Sequence, residues 1–324
     1  MTPVGSDVRR PAIGLILPAT LQDELPVSRG NTYSTTGGTA EVMADLCRRA
    51  EATGADSLWA VDHLFWPHPI HECLTTLTMA ATATRRPTLG SCVLQLPLRQ
   101  PAAVAKQATA LQLLSGGRFV LGVGVGSHKS EYVRAGVDFH RRGRIMDEGI
   151  AALRGAWGPT SDAPDGYAQE PTSPPVPIWV GGASAAARRR AAAIGDAWVP
   201  LFITADDYGP AVEALRRETV AAGRPADAVE AAVVVFVRVG PEGEAPARGA
   251  QWLSELYDVP PKAFERHLVA GPSEACAAAL ARYVEAGANH VIVMVAGPDA
   301  VQHFGYLRSA FVIHTEALLA GVAV

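Results

Sequence analysis

The sequence predicts a single α/β domain over residues 1–324, a (β/α)8 barrel with insertions after its fourth and seventh strands. Three observations predict it. Eight short apolar runs alternate with longer Ala-, Leu- and Arg-rich stretches of helical spacing, and parallel strands need crossovers of that kind. Most of the runs are continuously apolar, as strands covered on both faces are. The chain has 324 residues, 48% of them hydrophobic, which suffices for a closed barrel of about 250 residues or more. An open doubly wound sheet shares the alternation and is the alternative.

In chain order, the first strand is expected over Ala12 to Pro18, followed by a helix over Ala40 to Thr53 that Thr39 opens and Gly54 closes. Ser57 to Val61 precedes a helix over Ile70 to Thr84, and Thr88 to Leu94 one over Ala102 to Leu114. Phe119 to Val125 leads into a helical stretch from Glu131 towards Trp157. Pro177 to Val180 precedes Ala183 to Ala193, closed by Gly195, and Ala197 to Leu201 precedes Asp206 to Ala222, closed by Gly223. The seventh strand is Ala231 to Val239, with a helix over Ser273 to Ala286 capped by Ser273 and Gly287. His290 to Val295 and a helix over Asp299 to Ala320 complete the eight units. The insertions are the Pro/Ser/Asp-rich Pro159 to Pro177 and the stretch Gly240 to Ala270, whose helical piece ends near His267. Insertions in such barrels commonly sit at the C-terminal face of the strands, where substrate binds.

Composition excludes several classes. A net charge of −4 is not that of a nucleic-acid binder. The longest apolar runs, such as Ala231 to Val237, fall far below the ~18 residues of a membrane span. Asp7, Arg9 and Arg10 run directly into a strand-like segment rather than a leader core. Cys47, Cys73, Cys92 and Cys276 are too scattered for a disulfide scaffold or zinc site. A soluble, globular, cytoplasmic protein of a reducing compartment is expected. Lysine is confined to Lys106, Lys129 and Lys262; arginine supplies the other cations, a coding bias that lowers the weight of runs such as Arg188-Arg189-Arg190.

Several segments carry chemistry. Asp62-His63 closes the second strand, where catalytic groups of a barrel gather. Histidine exchanges protons near neutrality, and a neighbouring carboxylate orients it or binds a cofactor group. A histidine at a strand end also serves as a plain structural residue. His68 and His71 stand three residues apart, but zinc wants a third and fourth ligand. Cys92 reads as a small buried hydrophobe. The glycines of Gly122-Val123-Gly124-Val125-Gly126-Ser127 allow close approach to the backbone, yet the pattern is not the dinucleotide fingerprint. In Pro177-Ile178-Trp179-Val180-Gly181-Gly182-Ala183-Ser184 a strand runs through two glycines into a helix, which suits a phosphate or is only a tight turn.

Together these segments resemble the luciferase-like monooxygenase superfamily, specifically its deazaflavin-dependent branch. The resemblance runs from Ile13 to about Leu307 and is carried by ADSLWAVDHL (55–64), LPLRQPAAVAKQATALQLLSGGRFVLGVGVG (96–126), PVPIWVGG (175–182), GDAWVP (195–200) and GANHVIV (287–293). It implies a barrel holding coenzyme F420, or alternatively FMN, at its C-terminal face. Carried over by position, Asp62 contacts the ring system and His63 transfers the proton. Cys92-Val93 falls where relatives have a non-prolyl cis peptide that buttresses the ring. Gly126 and Ser127 border the cofactor, and Gly181, Gly182, Ala183 and Ser184 hold its phosphate. Trp66 lies one residue away from an aromatic that shapes the pocket in some relatives. One departure matters: sugar-phosphate dehydrogenases of this branch carry a glutamate where this chain has Ser127. Glu131, four residues on, is expected to fall short of the site, which argues against a sugar-phosphate substrate.

The resemblance therefore implies an oxidoreductase moving a hydride between the deazaflavin and a small organic substrate, with His63 exchanging the proton, and a homodimer built through outer helices. An FMN-dependent monooxygenase supplied by a separate reductase is the alternative. The Asp-His pair resembles the deazaflavin branch, where monooxygenase relatives more often show Glu-His. A non-catalytic flavin-binding barrel is a third reading, opposed by the intact Asp62-His63 and Gly181-Gly182.

Overall fold

The structure is a computed structural model that describes residues 10–18, 38–158 and 176–321. Among the described residues ten strands, all in parallel register, form one sheet that closes on itself. The ring comprises β1 (Ala12–Ile16), β2 (Ser57–Ala60), β3 (Thr88–Ser91), β5 (Phe119–Gly124), β6 (Ile178–Gly181), β7 (Ala197–Val199), β8 (Glu230–Val239) and β10 (His290–Val295). Two short strands lie off the ring: β4 (Leu94–Gln95) pairs with β5, and β9 (Leu268–Gly271) with the end of β8. The helices are α1 (Gly38–Ala52), α2 (Cys73–Ala83), α3 (Pro101–Leu114), α4 (Lys129–Arg134), α5 (Arg142–Ala156), α6 (Ala185–Ile194), α7 (Ala205–Ala221), α8 (Ala245–Tyr257), α9 (Ser273–Glu285) and α10 (Ala300–Leu319). The closed ring bears out the barrel over the open sheet. No described helix is long and apolar enough to cross a membrane.

Local differences from the sequence reading have physical causes. The third strand divides into β3 and β4 at a cis Cys92–Val93 peptide. The stretch expected as one helix from Glu131 breaks into α4, a 3-10 turn over Phe139–Arg141 and α5, because Gly136 turns left-handed (φ 69°). Ser273 is not a cap; Pro272 takes that place, and the serine hydroxyl donates to Glu274 instead. Thr39 lies inside α1. Gly54, Gly223 and Gly287 have the positive φ of a helix stop, but Gly195 is extended; there a Cβ would crowd Ala191 Cα and Val180 Cγ2 at 3.0 Å. The second insertion carries α8 and β9, and residues 159–175 of the first lie outside the described residues.

Two apolar layers follow from the strand alternation. Outward residues such as Leu58, Leu121, Val180 and Val233 pack under the helices. Inward residues, including Trp59, Trp179, Val234, Phe236 and Ile292, fill the lumen. Trp59 and Trp179 meet across it with ring centroids 4.9 Å apart, and Gly90 makes room, since a Cβ there would lie 2.1 Å from the Trp59 ring. Below them is a cavity of about 540 Å³ at the N-terminal ends of the strands, lined by Arg10, Asp56, Asp196, Glu230 and His290 among others. The Trp59 indole donates to Ser57 Oγ (2.6 Å), so the serine hydroxyl is left to donate to His290 Nε2 (2.7 Å).

His290 is buried, and burial lowers its pKa to about 4. A neutral imidazole in the folded state contributes stability that is complete above the unfolded pKa of about 6.5 and is lost as pH falls towards 4. Unfolding free energy is expected to drop by about 3 kcal/mol from this group alone between pH 7 and pH 4. Urea titrations across that range check it: His290→Gln should flatten this part of the slope, and an unchanged slope refutes it.

Candidate active site

Asp62 and His63 follow β2 at the C-terminal face and point to different neighbours, as consecutive residues of an extended chain do. Asp62 is 4% exposed. Its Oδ2 accepts the Gln95 backbone N–H at 2.9 Å, and its Oδ1 accepts from Arg99 Nη2 at 2.6 Å. Burial pushes its carboxyl above the usual range, while the Arg99 guanidinium and the Gln95 N–H oppose that rise without cancelling it.

His63 Nδ1 lies 2.9 Å from Glu131 Oε2. An ionised carboxylate only accepts, so Nδ1 carries the proton and Nε2 is the nitrogen left for a ligand. Burial alone would raise the Glu131 carboxyl, but hydrogen bonds from His63 and the Phe65 N–H outweigh it and hold it below its ordinary value. Glu131 Oε1 also accepts from the N–H groups of Leu64 and Phe65, at 2.9 and 3.1 Å, and the Gln95 side-chain amide reaches both carboxylate oxygens. The Trp66 indole stacks on the His63 ring at 3.8 Å, with His128 edge-on to both.

The expectation that Glu131 falls short is therefore corrected. Helix α4 starts at Lys129 and turns its first-turn glutamate inward, fully buried, against the loop after β2. Ser127 is exposed, its Oγ 3.3 Å from His128 Nδ1. The glycines of β5 admit the chain itself rather than a ligand. A Cβ on Gly122 would lie 1.9 Å from the Ser91 carbonyl oxygen, and one on Gly124 2.4 Å from a Val93 methyl. Gly181 likewise faces both Val93 methyls. Cys92, beside the cis bond, has its thiol pushed up to about 12 by burial and stays protonated, so it is no activated nucleophile.

Gly182, Ala183 and Ser184 are exposed where β6 ends and α6 begins. Gly182 has φ 117° and its carbonyl accepts from Trp198 Nε1 at 2.9 Å. Ser184 is the N-cap of α6, its Oγ accepting from the Ala187 N–H at 3.2 Å. The arginine run is structural in part: Arg188 pairs with Glu218 and Arg190 with Asp147. His68 and His71 precede α2 rather than riding on it; His68 Nε2 lies 2.8 Å from the Glu255 carbonyl of α8. That contact and an edge-on meeting of Trp66 with Tyr257 tie the loop after β2 to α8 across the barrel mouth.

The sequence reading missed Gln95, Arg99 and Glu131. The signals were present in LPLRQP and in a glutamate opening the helix after the fourth strand, but their meeting with Asp62-His63 depends on ring closure. One ligand atom each from His63, His128 and Glu131 lies within 4.8 Å of the others, a spacing that a divalent ion could share. The four donor groups already on Glu131 compete with such an ion. For a flavin-like group the fit is better. Gln95 Oε1 is a buried acceptor with no partner among the described residues, suited to the imide N–H of such a ring. The exposed Gly182–Ser184 turn before a ten-residue helix suits a phosphate.

Comparison with known proteins agrees with this geometry. The profile of a family described as luciferase-like monooxygenase matches residues 25–248. An uncharacterized protein of Mycobacterium tuberculosis is 33% identical over 194 residues, covering 49% of this chain and 67% of that protein. The phthiodiolone/phenolphthiodiolone dimycocerosates ketoreductase of the same organism is 28% identical over 303 residues, 72% of this chain and 78% of its own. An F420-dependent secondary alcohol dehydrogenase, solved with an F420-acetone adduct, superimposes with a TM-score of 0.76 at 20% identity, over 94% of this chain and 99% of that one.

Proposed function

Because the chain belongs to the luciferase-like monooxygenase family, we propose that it is an F420-dependent oxidoreductase that moves a hydride between the deazaflavin and the carbonyl or carbinol carbon of a small organic substrate. The observation that carries this reading is the His63–Glu131 pair beside the buried Asp62–Arg99 ion pair at the C-terminal face. The names ketoreductase and secondary alcohol dehydrogenase, borne by a relative and a structural neighbour, support the carbonyl chemistry.

When bound, the deazaflavin supplies a carbon that donates or accepts a hydride, and the protein supplies everything else. Asp62, Gln95, Gly126 and Ser127, with the Cys92–Val93 shelf, would hold the ring, and the exposed Gly182–Ser184 turn would hold its phosphate, with Gly181, buried against Val93, setting the turn rather than touching the ligand. Glu131 fixes the His63 tautomer with Nδ1 protonated, and Trp66 stacking fixes the ring plane. In the reducing direction His63 is the imidazolium, protonated on both nitrogens beside the Glu131 carboxylate, and its Nε2 proton passes to the substrate oxygen; in the oxidising direction the neutral ring, protonated at Nδ1 alone, takes that proton back at Nε2. Holding the donor within reach before reaction removes the entropy of bringing it there.

Titrating the protein with oxidised F420, FMN and riboflavin, followed by fluorescence, tests the cofactor assignment. Micromolar or tighter binding of F420, with FMN at least about tenfold weaker (~1.4 kcal/mol), is the expected result. Binding of FMN alone supports the monooxygenase reading instead, and binding of none supports a barrel without turnover.

A further inference from the structure

We propose that Phe202 is a specificity-determining residue, and that it selects ketones or secondary alcohols with an aryl or long alkyl substituent over phosphorylated or polyhydroxylated ones. The proposal rests on the carbonyl–alcohol reading above and names its substrate class. Phe202 follows β7 at the C-terminal face with φ 60°. A bulky L-residue keeps that left-handed conformation only where its surroundings hold it, and such positions cluster at ligand sites. The conformation leaves the ring 41% exposed rather than buried. Its inner side rests on Phe236, Phe264 and His267, with centroids 5.3, 6.0 and 5.6 Å away. Phe236 and Phe264 are buried, so the exposed ring is the outer surface of a packed aromatic wall.

The wall reaches the proton-transfer histidine. From Phe202 the rings step to Tyr257 (6.5 Å), from Tyr257 to Trp66 (5.6 Å) and from Trp66 to His63 (3.8 Å). A substrate oxygen at His63 thus has its substituent directed along aromatic surface. The two arginines nearest this wall are already paired with carboxylates. Arg266 donates to Asp207 and Arg282 to Asp206, both at 2.6 Å, and burial, then the Arg266 charge, lowers the pKa of His267, which favours the neutral imidazole. Along these rings an anionic or heavily hydroxylated substituent would lose most of its water against aromatic carbon, with His267 Nδ1 as a single buried nitrogen to meet it, whereas an apolar one gains burial along the whole wall.

The test compares kcat/KM for 4-phenyl-2-butanone, acetone and glucose 6-phosphate with reduced F420, in the wild-type protein and in Phe202→Ala and Phe202→Gly. The wild type should prefer the aryl ketone to acetone by about tenfold or more, with glucose 6-phosphate the poorest. Both variants should lower that preference about tenfold. Glycine accepts φ 60° without cost, so the Gly variant keeps the test open if the Ala variant folds poorly. Calorimetric titration with 4-phenyl-2-butanone, which needs no turnover, separates the two readings. Absence of F420 binding or ketone turnover, with the aryl ketone still bound and weakened about tenfold by both substitutions, counts against the reaction but upholds the wall. An unaltered preference in both variants, or no aryl-ketone binding by the wild type, overturns the proposal.

Discussion

His63→Ala is expected to lower kcat by about 10²- to 10⁴-fold, the range that one positioned general acid–base contributes, while F420 affinity stays within a few-fold. The separation follows from the site. His63 is bound by Glu131 and Trp66, whereas Asp62 and the Gly182–Ser184 turn are tied to other elements of the fold, and Gln95, which shares Glu131 with His63, keeps its bonds to Glu131 and to the Asp62 carbonyl when the imidazole is removed. Asp62 keeps Arg99 and the Gln95 N–H, and Ser184 keeps its cap on α6. Steady-state kinetics beside fluorescence titration of the same preparation decides it. Undiminished turnover would make His63 structural and remove the proposed proton route. An equal collapse of coenzyme affinity would mean that the histidine supports the cofactor rather than the chemistry.

Arg99→Leu is expected to destabilise the fold by about 3–5 kcal/mol at pH 7, because it leaves the Asp62 carboxylate buried without a counter-charge. The Asp62 side chain is 1% exposed and its guanidinium partner 15%, so water repays little of the loss. For a domain of this size that corresponds to a fall in thermal midpoint of at least ~5 °C. The pH dependence has a definite sign. Burial already raises the Asp62 carboxyl above its usual range, with Arg99 the main opposing group. Loss of Arg99 raises it further, and the penalty disappears as pH falls through the raised value and Asp62 takes up its proton. Melts at pH 7 and pH 5 should therefore show a smaller difference from wild type at the lower pH. The double variant Asp62→Asn/Arg99→Leu should recover part of the stability at pH 7. No recovery would place the effect of Arg99 in packing rather than charge.

The ring was legible because its signal is local. Each strand is a short apolar run next to a helix of different period, and neither depends on distant residues. The two strands off the ring were not legible in that way. Leu94–Gln95 looks like the end of the third strand until the cis bond offsets it, and Leu268–Gly271 looks like the tail of an insertion. In the site, Asp62 and His63 stood out by position at a strand end. Their partners did not, since Arg99 is 37 residues from Asp62 and Glu131 is 68 from His63. Counting residues from the β5 glycines made Glu131 seem too far, because a count along the chain says nothing of the direction in which the first turn of α4 faces. Those glycines illustrate the same limit. Their close approach was foreseen, but Val93 and Ser91 fill the space.

The paired indoles of Trp59 and Trp179 make the barrel a cup rather than a pipe. The lower hollow, which Trp179 lines, is thereby parted from the C-terminal mouth where His63 stands. A molecule entering from the floor would meet the two indoles, so the rim is the side from which the histidine can be reached.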